Sequence, residues 1–247
     1  MAVEATEGQH HAPRTPARRF KRVPVSSLHE EVVRAFCDAL LTGRIKPGQR
    51  LVERDMAEEM GLSRGPIRDG LAALERHGLV VRHRNKASYV ASLDESDVRD
   101  VYTVRRMFET FALRLAIENR LLTEAALAPL TVLVEQMDAA GQAGDRVAVM
   151  ERDLDFHRAL CELGGSPRLL DLYDQTRLLR LLVFTISQLP HLDLHVLGRQ
   201  HQEIVDALGI AVRQQDAAPA ILALERHLDG SCQLAIRQIA QAAREEA

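Results

Sequence analysis

Apolar residues recur along most of this chain at the three-to-four spacing of an amphipathic helix, and only around residues 79–91 does the pattern change. The first stripe is Val32, Val33, Ala35, Phe36, Ala39, Leu40 and Leu41. It predicts a helix that starts near Leu28 and stops at Gly43. Lys46-Pro47-Gly48 reads as a turn and residues 50–52 as a short strand. A second helix is predicted over residues 53–60, burying Met56, Ala57 and Met60 and ending at Gly61 as a C′ glycine. Ser63 is expected to cap a third helix, with Pro66 in its first turn, Ile67, Leu71 and Leu74 facing inward, and Gly78 at its end. Residues 79–82 and 88–91 flank a charged tip, which is the pattern of a β-hairpin. Helix, strand, helix, tight turn, helix and hairpin, in that order, make a winged helix-turn-helix.

From Asp94 onward the pattern is helix after helix. Asp94 or Ser96 can cap a helix reaching about residue 119, Thr123 the next, and Asp145 one reaching about residue 163. Gly164-Gly165-Ser166-Pro167 is a stop and a new start, leading to a helix predicted to end near residue 188 before Pro190. A further helix is expected over residues 193–213, and Asp216 can cap the last, with Pro219 in its first turn. Six to seven such helices predict an antiparallel, all-helical bundle. Residues 1–24 lack an apolar period and carry the run Arg18-Arg19-Phe20-Lys21-Arg22, so they read as a disordered basic arm. That arm is either a solvated tail or an extra contact to phosphates. The chain is thus expected to be mainly α, with an arm (1–24), a winged helix-turn-helix (25–92) and a helical bundle (93–247).

Composition supports this division. Hydrophobic residues are 46% and charged residues 27% of the 247, ordinary for a soluble globular chain. Trp is absent and aromatics are only 4%, so Leu and Ala must fill the cores, which favours helices. The overall charge of −3 conceals an asymmetry. Residues 1–92 hold 16 Lys and Arg against 11 Asp and Glu, a net of +5, whereas the remainder holds 16 against 24, a net of −8. Only the first part is suited to a polyanion. Cys37, Cys161 and Cys232 are odd in number, far apart and set in helical patterns, so they read as buried apolar residues of a reducing compartment. No apolar run approaches about 18 residues, and no hydrophobic signal core opens the chain. The expectation is a cytoplasmic protein without a membrane span.

The third helix carries the DNA-reading candidates. A recognition helix offers its first residues to base edges in the major groove, and here these are Ser63, Arg64, Gly65 and Arg68. Arg64 and Arg68 lie four apart, on one face. An Arg fork donates two parallel bonds, which matches guanine O6 and N7. Arg54, at the start of the second helix, is placed for phosphate or the groove edge, and Gly65 leaves space for close backbone approach. Arg82, His83, Arg84 and Lys86 give the wing a basic cluster suited to phosphates or the minor groove. A solvated face with scattered arginines is the plainer alternative, and the combination of motif order, Arg pair and basic wing outweighs it.

A second constellation lies in the bundle. Asp153 and His157 are four apart and share a helical face, while Asp155 points nearly the other way. His201 and His227 sit on the last two predicted helices and can converge on that face. Asp and His side chains meeting inside a bundle build divalent metal sites, and three imidazoles with one carboxylate suit Zn, Ni, Fe or Mn better than Ca. Hydrogen-bonded core histidines without metal are the competing reading. Arg105 can pair with Glu109 at i,i+4, or can neutralise a bound acid.

The stretch around "GRIKPGQRLVERDMAEEMGLSRGPIRDGLAALERHGLV" resembles the DNA-binding domain of the GntR family, whose core motif Ser-Arg-Thr-Pro-Val-Arg-Glu-Ala-Leu stands here as Ser63-Arg64-Gly65-Pro66-Ile67-Arg68-Asp69-Gly70-Leu71. The resemblance implies DNA contacts from Arg54, Arg64 and Arg68. Gly65 replaces a Thr, Gly70 an Ala in mid-helix, and Lys86-Ala87 the usual Arg-Gly of the wing. Residues 94–238 resemble the C-terminal domain of the FadR-like branch, with "VYTVRRMFETFALRLA" similar to its opening helix and "DLDFH", "QHQEIVDA" and "ALERHL" to its metal-binding segments. The resemblance implies a metal held by Asp153, His157, His201 and His227, and a small carboxylate effector beside it with Arg105 as partner. The His201–His227 interval is about one helical turn longer than usual, and Ser166 stands where Asn is common.

Together these readings predict a homodimeric, non-enzymatic transcriptional regulator, repressor or activator, on a palindromic double-stranded operator. The rival is a metal-dependent, hydrolase-like enzyme with an appended DNA module. No His-Glu-x-x-His motif and no nucleophile elbow accompany it.

Overall fold

In a computed structural model of the chain, residues 28–83, 87–176 and 194–245 are described. The basic arm and the wing residues Arg84 and Lys86 lie outside them.

The first stripe forms α1 (Leu28–Leu41), which buries Val32, Phe36 and Leu40. After the turn come β1 (Arg50–Leu51), α2 (Glu53–Glu59) and α3 (Arg64–Arg76). Then β2 (Val80–Arg82) and β3 (Ser88–Val90) pair antiparallel, and β1 joins β3 on its other edge. Gly61 holds φ +63° between α2 and α3, the left-handed step expected of a C′ glycine. Ile67, Leu71 and Leu74 of α3 close a core with Val32, Phe36, Leu40, Leu79, Val80 and Val90.

Three details differ from the sequence expectation. Ser63 is the N-cap of α3 by position, but its hydroxyl makes no capping bond. Met56, Ala57 and Met60 are half-buried only, because α2 is a two-turn helix laid on the edge of the core. Cys37 is half-buried, whereas Cys161 and Cys232 are buried.

The bundle contains α4 (Glu95–Glu118), α5 (Glu124–Gln142), α6 (Arg146–Glu162), α7 (Pro167–Asp174), α8 (Leu194–Gln214) and α9 (Ala218–Glu245). Asp94 caps α4 in a reciprocal capping box with Asp97. Thr123 caps α5, Asp145 caps α6 and Ser166 caps α7, accepting from the Leu169 amide at 3.3 Å. Asp216 Oδ1 accepts from the Ala218 amide at 2.9 Å, at the start of α9. The helix predicted to reach residue 188 ends at Asp174, where Thr176 folds back onto the Tyr173 carbonyl at 2.9 Å. Residues 177–193 lie outside the described set. Helix α5 packs between α6 and α8, α9 lies against α8 and α4, and α4 also contacts α6 and α7. Leu93, at the join, packs against both the winged-helix core and the bundle core. Among the described residues no helix is long and apolar enough to cross a membrane.

Gly70 explains how α1 and α3 approach so closely. A Cβ there would lie 2.5 Å from Val32 Cγ1 and 2.6 Å from Val32 Cβ. The Cβ overlap cannot be relieved by rotating the Val32 side chain. A mid-helix Gly costs up to about 1 kcal/mol in propensity, but filling this space forces the two helices apart. Gly70→Ala is therefore expected to destabilise the winged-helix domain by about 1–2 kcal/mol net of the propensity gain. Adding Val32→Ala, which removes Cγ1 but keeps the overlapping Cβ, should recover little of that loss in chemical denaturation.

Candidate nucleic-acid interface and metal centre

The α3 N-terminus is presented to solvent as the sequence suggested. Ser63, Arg64, Gly65 and Arg68 are all exposed, and space around Gly65 is open. No acidic residue occupies the first turn of α3, so its exposed amides and dipole favour an anion. Arg68 Nε donates to Glu53 Oε2 at 2.9 Å, which ties the start of α2 to α3 and holds the guanidinium over the turn. Arg54 pairs with its neighbour Asp55 at 3.1 Å and is 73% exposed. These are solvent-screened pairs that a phosphate or base edge can replace at small cost. Arg82 of β2 lies 3.8 Å from Glu75, and His83 meets Tyr89 edge-on at 4.9 Å between ring centroids. The basic cluster of the wing is thus described only at its base.

In the bundle, Asp153 and His157 from α6, His201 from α8 and His227 from α9 converge, with one ligand atom of each within 4.8 Å of all the others. His201 Nε2 lies 3.1 Å from Asp153 Oδ1 and 3.3 Å from His157 Nε2. His157 Nε2 is 3.8 Å from the same carboxylate oxygen. The three rings also touch one another, the His157 and His227 planes being stacked at 5.1 Å. Helix α8 runs unbroken through residues 209–212 to Gln214, so the extra turn leaves His227 facing the cluster.

Glu109 organises this centre. It is fully buried on α4, and its Oε2 lies 2.8 Å from His157 Nδ1. Its Oε1 accepts from Arg105 Nε at 3.1 Å and from the Tyr173 hydroxyl at 2.8 Å. Burial alone would raise the Glu109 carboxyl, but His157 and Arg105 outweigh it and hold it at about 2. Burial pushes the His157 imidazole down despite Glu109, and burial together with His201 and His157 pushes His227 down further. Asp153 stays well below the usual carboxylate range, because His157 and the His201 hydrogen bond outweigh its burial. A neutral His157 whose Nδ1–H serves Glu109 turns its Nε2 lone pair into the cluster.

These residues fit a divalent transition metal. The donor set is three imidazoles and a carboxylate, and His227 Nδ1 is buried with no hydrogen-bond partner. Two ligands at about 2.0–2.2 Å from a shared ion stand roughly 2.8–3.6 Å apart, a range that contains the observed 3.3 Å between the His157 and His201 nitrogens. All four residues singled out in the sequence are brought together. Arg105 makes the predicted intrahelical pair with Glu109 and still leaves Nη2 buried without a partner. Glu109 as the support of His157, and Tyr173 as a third donor to it, were not anticipated. The signal was present for Glu109. It falls on the stripe Val98, Tyr102, Arg105, Ala112 and Ala116, where a carboxylate is buried and must find donors.

Comparison with known proteins agrees with this fold. Residues 28–90 match the model of the bacterial regulatory proteins of the gntR family, and residues 100–230 match the FCD domain. Relatives include the HTH-type transcriptional repressor NanR of Salmonella typhimurium, 27% identical over 88% of this chain and 89% of that protein. The Nta operon transcriptional regulator of Aminobacter aminovorans is 26% identical over 74% of this chain and 85% of its own length. The match to YdhC of Bacillus subtilis, at 28% identity, spans 55% of this chain and 60% of that protein. The solved structure of E. coli McbR/YncC superposes with a TM-score of 0.71 at 23% identity, over 87% of this chain and 99% of that one, and supports the fold. The chain accordingly belongs to the gntR family of bacterial regulatory proteins, in the group whose members carry an FCD domain.

Proposed function

We propose that this protein is a cytoplasmic, homodimeric transcriptional regulator in which residues 25–92 read a palindromic DNA duplex and residues 93–247 sense a small organic acid at a metal centre. The observation that carries the DNA reading is the pair Arg64 and Arg68, one turn apart and exposed at an N-terminus free of acidic residues. Ser63 and Gly65 belong to the same turn, Arg54 stands at the start of α2, which Glu53 ties to Arg68, and Arg84 and Lys86 are the further candidate contacts. The likeness to NanR favours repression.

The sensing reading rests on the cluster of Asp153, His157, His201 and His227 and on the buried, half-used guanidinium of Arg105. Zn, Ni, Mn or Fe suits this donor set. A six-coordinate divalent ion held by these four ligands would keep two positions for a carboxylate. Arg105 Nη2 is then available to take a second oxygen of that acid, while Nε stays on Glu109.

A second copy is best placed on α4 and α7. Met107, Phe111 and Leu172 are 58%, 52% and 53% exposed around an apolar groove of about 560 Å³. Asp100 and Arg114 continue the α4 stripe on either side, so an antiparallel α4 pair sets opposite charges near each other.

Three outcomes test these statements. Arg64→Ala with Arg68→Ala should weaken binding to duplexes selected by the wild type from a random pool by at least about tenfold, since each bidentate base contact is worth roughly 1–3 kcal/mol. Unchanged binding would refute the DNA reading. Glu109→Gln should lower zinc affinity about 10–100-fold with helical content retained, as read by titration calorimetry and circular dichroism. Met107→Glu with Phe111→Glu should convert dimer to monomer in sedimentation, because two carboxylates would have to be buried at the contact.

A further inference from the structure

One stripe of α6 serves two purposes. Asp153 and His157 belong to the ligand cluster. Met150 and Leu154, at 1% and 4% exposure, form a separate small cluster whose packed neighbours are Cys37 and Leu41 of α1. Positions 150, 153, 154 and 157 follow the i, i+3, i+4, i+7 spacing of a single helical face. The ligands and the interdomain contact therefore cannot turn independently.

Helix α1 is likewise two-faced. Val32, Phe36 and Leu40 are buried in the core with α3. Cys37 and Leu41 follow Phe36 and Leu40 by one residue, about 100° round the helix axis. Val32 fills the space above Gly70, two residues beyond Arg68. Between the helix that holds two of the four candidate ligands and the helix that presents Arg64 and Arg68, a single element intervenes.

We infer that the contact of Met150 and Leu154 with Cys37 and Leu41 is the route by which occupancy of the Asp153–His157–His201–His227 centre sets the position of α3. The inference rests on the regulatory reading above and names its path. An occupied centre ties α6 to α8 and α9 at once, which restricts rotation of α6 about its axis. Met150 and Leu154 then offer α1 a fixed seat, and α1 carries α3 with it through the Val32–Gly70 approach. An empty centre leaves α6 freer and the seat looser. Among the described residues, the hydrophobic part of this contact is four side chains, so a modest change in α6 suffices to alter it. The covalent join at Leu93 locates the two domains, whereas this contact orients one against the other.

The test uses the full chain, stripped by chelator and then given zinc, with or without succinate. In the wild type, zinc should slow amide exchange in the second half of α1, and the affinity for a duplex selected from a random pool should change by about fivefold or more. In Cys37→Ser/Leu41→Ala both responses should fall to within about twofold of no change, with zinc affinity unaltered. Leu41→Met should retain both. If the double variant does not fold, Leu154→Ala and Leu41→Ala singly are read the same way. A variant that loses the α1 contact but keeps the full zinc response of DNA binding overturns this route and leaves the regulatory reading standing. A wild type whose DNA affinity moves with neither zinc nor succinate overturns the route and counts against the regulatory reading as well.

Discussion

A single buried carboxylate sets the geometry of the bundle. Glu109 has no solvent to satisfy it, so its two oxygens must be served by protein donors, and they are served from three helices. Arg105 comes from its own helix, His157 from α6 and Tyr173 from α7. Such a group is costly unless every partner is in place. The requirement fixes the rotation of α4, the position of α6 along it, and the docking of the two-turn α7. It also fixes the tautomer of His157, and with it the direction in which Nε2 points. Glu109 therefore aims His157 before any ion arrives, while the approach of α6 to α8 and α9 is left to the ligands themselves.

The two domains divide the electrostatic work. The winged-helix part is net basic, and Arg54 and Arg68 are held loosely, in exposed, solvent-screened pairs that cost little to break. The bundle is net acidic, and its charged groups of interest are buried and locked. Loose cations suit a partner that must be found, tested and released. Locked groups suit a small ligand whose arrival must be felt by the backbone. That one chain holds both is what makes a regulator physically reasonable here, more than either site alone.

Most of the fold could be read from periodicity and caps. Asp94, Thr123, Asp145 and Ser166 mark helix starts by local hydrogen bonds that depend on a few neighbouring residues, so sequence is enough to find them. Ser63 failed in that role because its position at the tight turn, not its hydroxyl, starts α3. The four ligands were legible because helical spacing and a family pattern both constrain them. Tyr173 was not, since its partnership with Glu109 spans 64 positions and depends on where α7 docks. Gly70 looked like a weakness in mid-helix. Its reason lies in Val32, which is distant in sequence and adjacent in space.

The same distinction bears on how a signal can pass. Interactions set within a helix, such as caps and the Arg105–Glu109 pair, hold their element together whatever the neighbouring domain does. Interactions between elements have two sides and can be lost from either. Among the described residues, one hydrophobic interdomain contact sits on the stripe that carries two ligands. A large polar interface would be specific but slow to rearrange, because each hydrogen bond would need a new partner. A small apolar one can slide without leaving a polar group unsatisfied. On the proposed route, the small size of the α6–α1 hydrophobic contact is the property that lets a shift at Asp153 and His157 be exchanged for a change of orientation at α3.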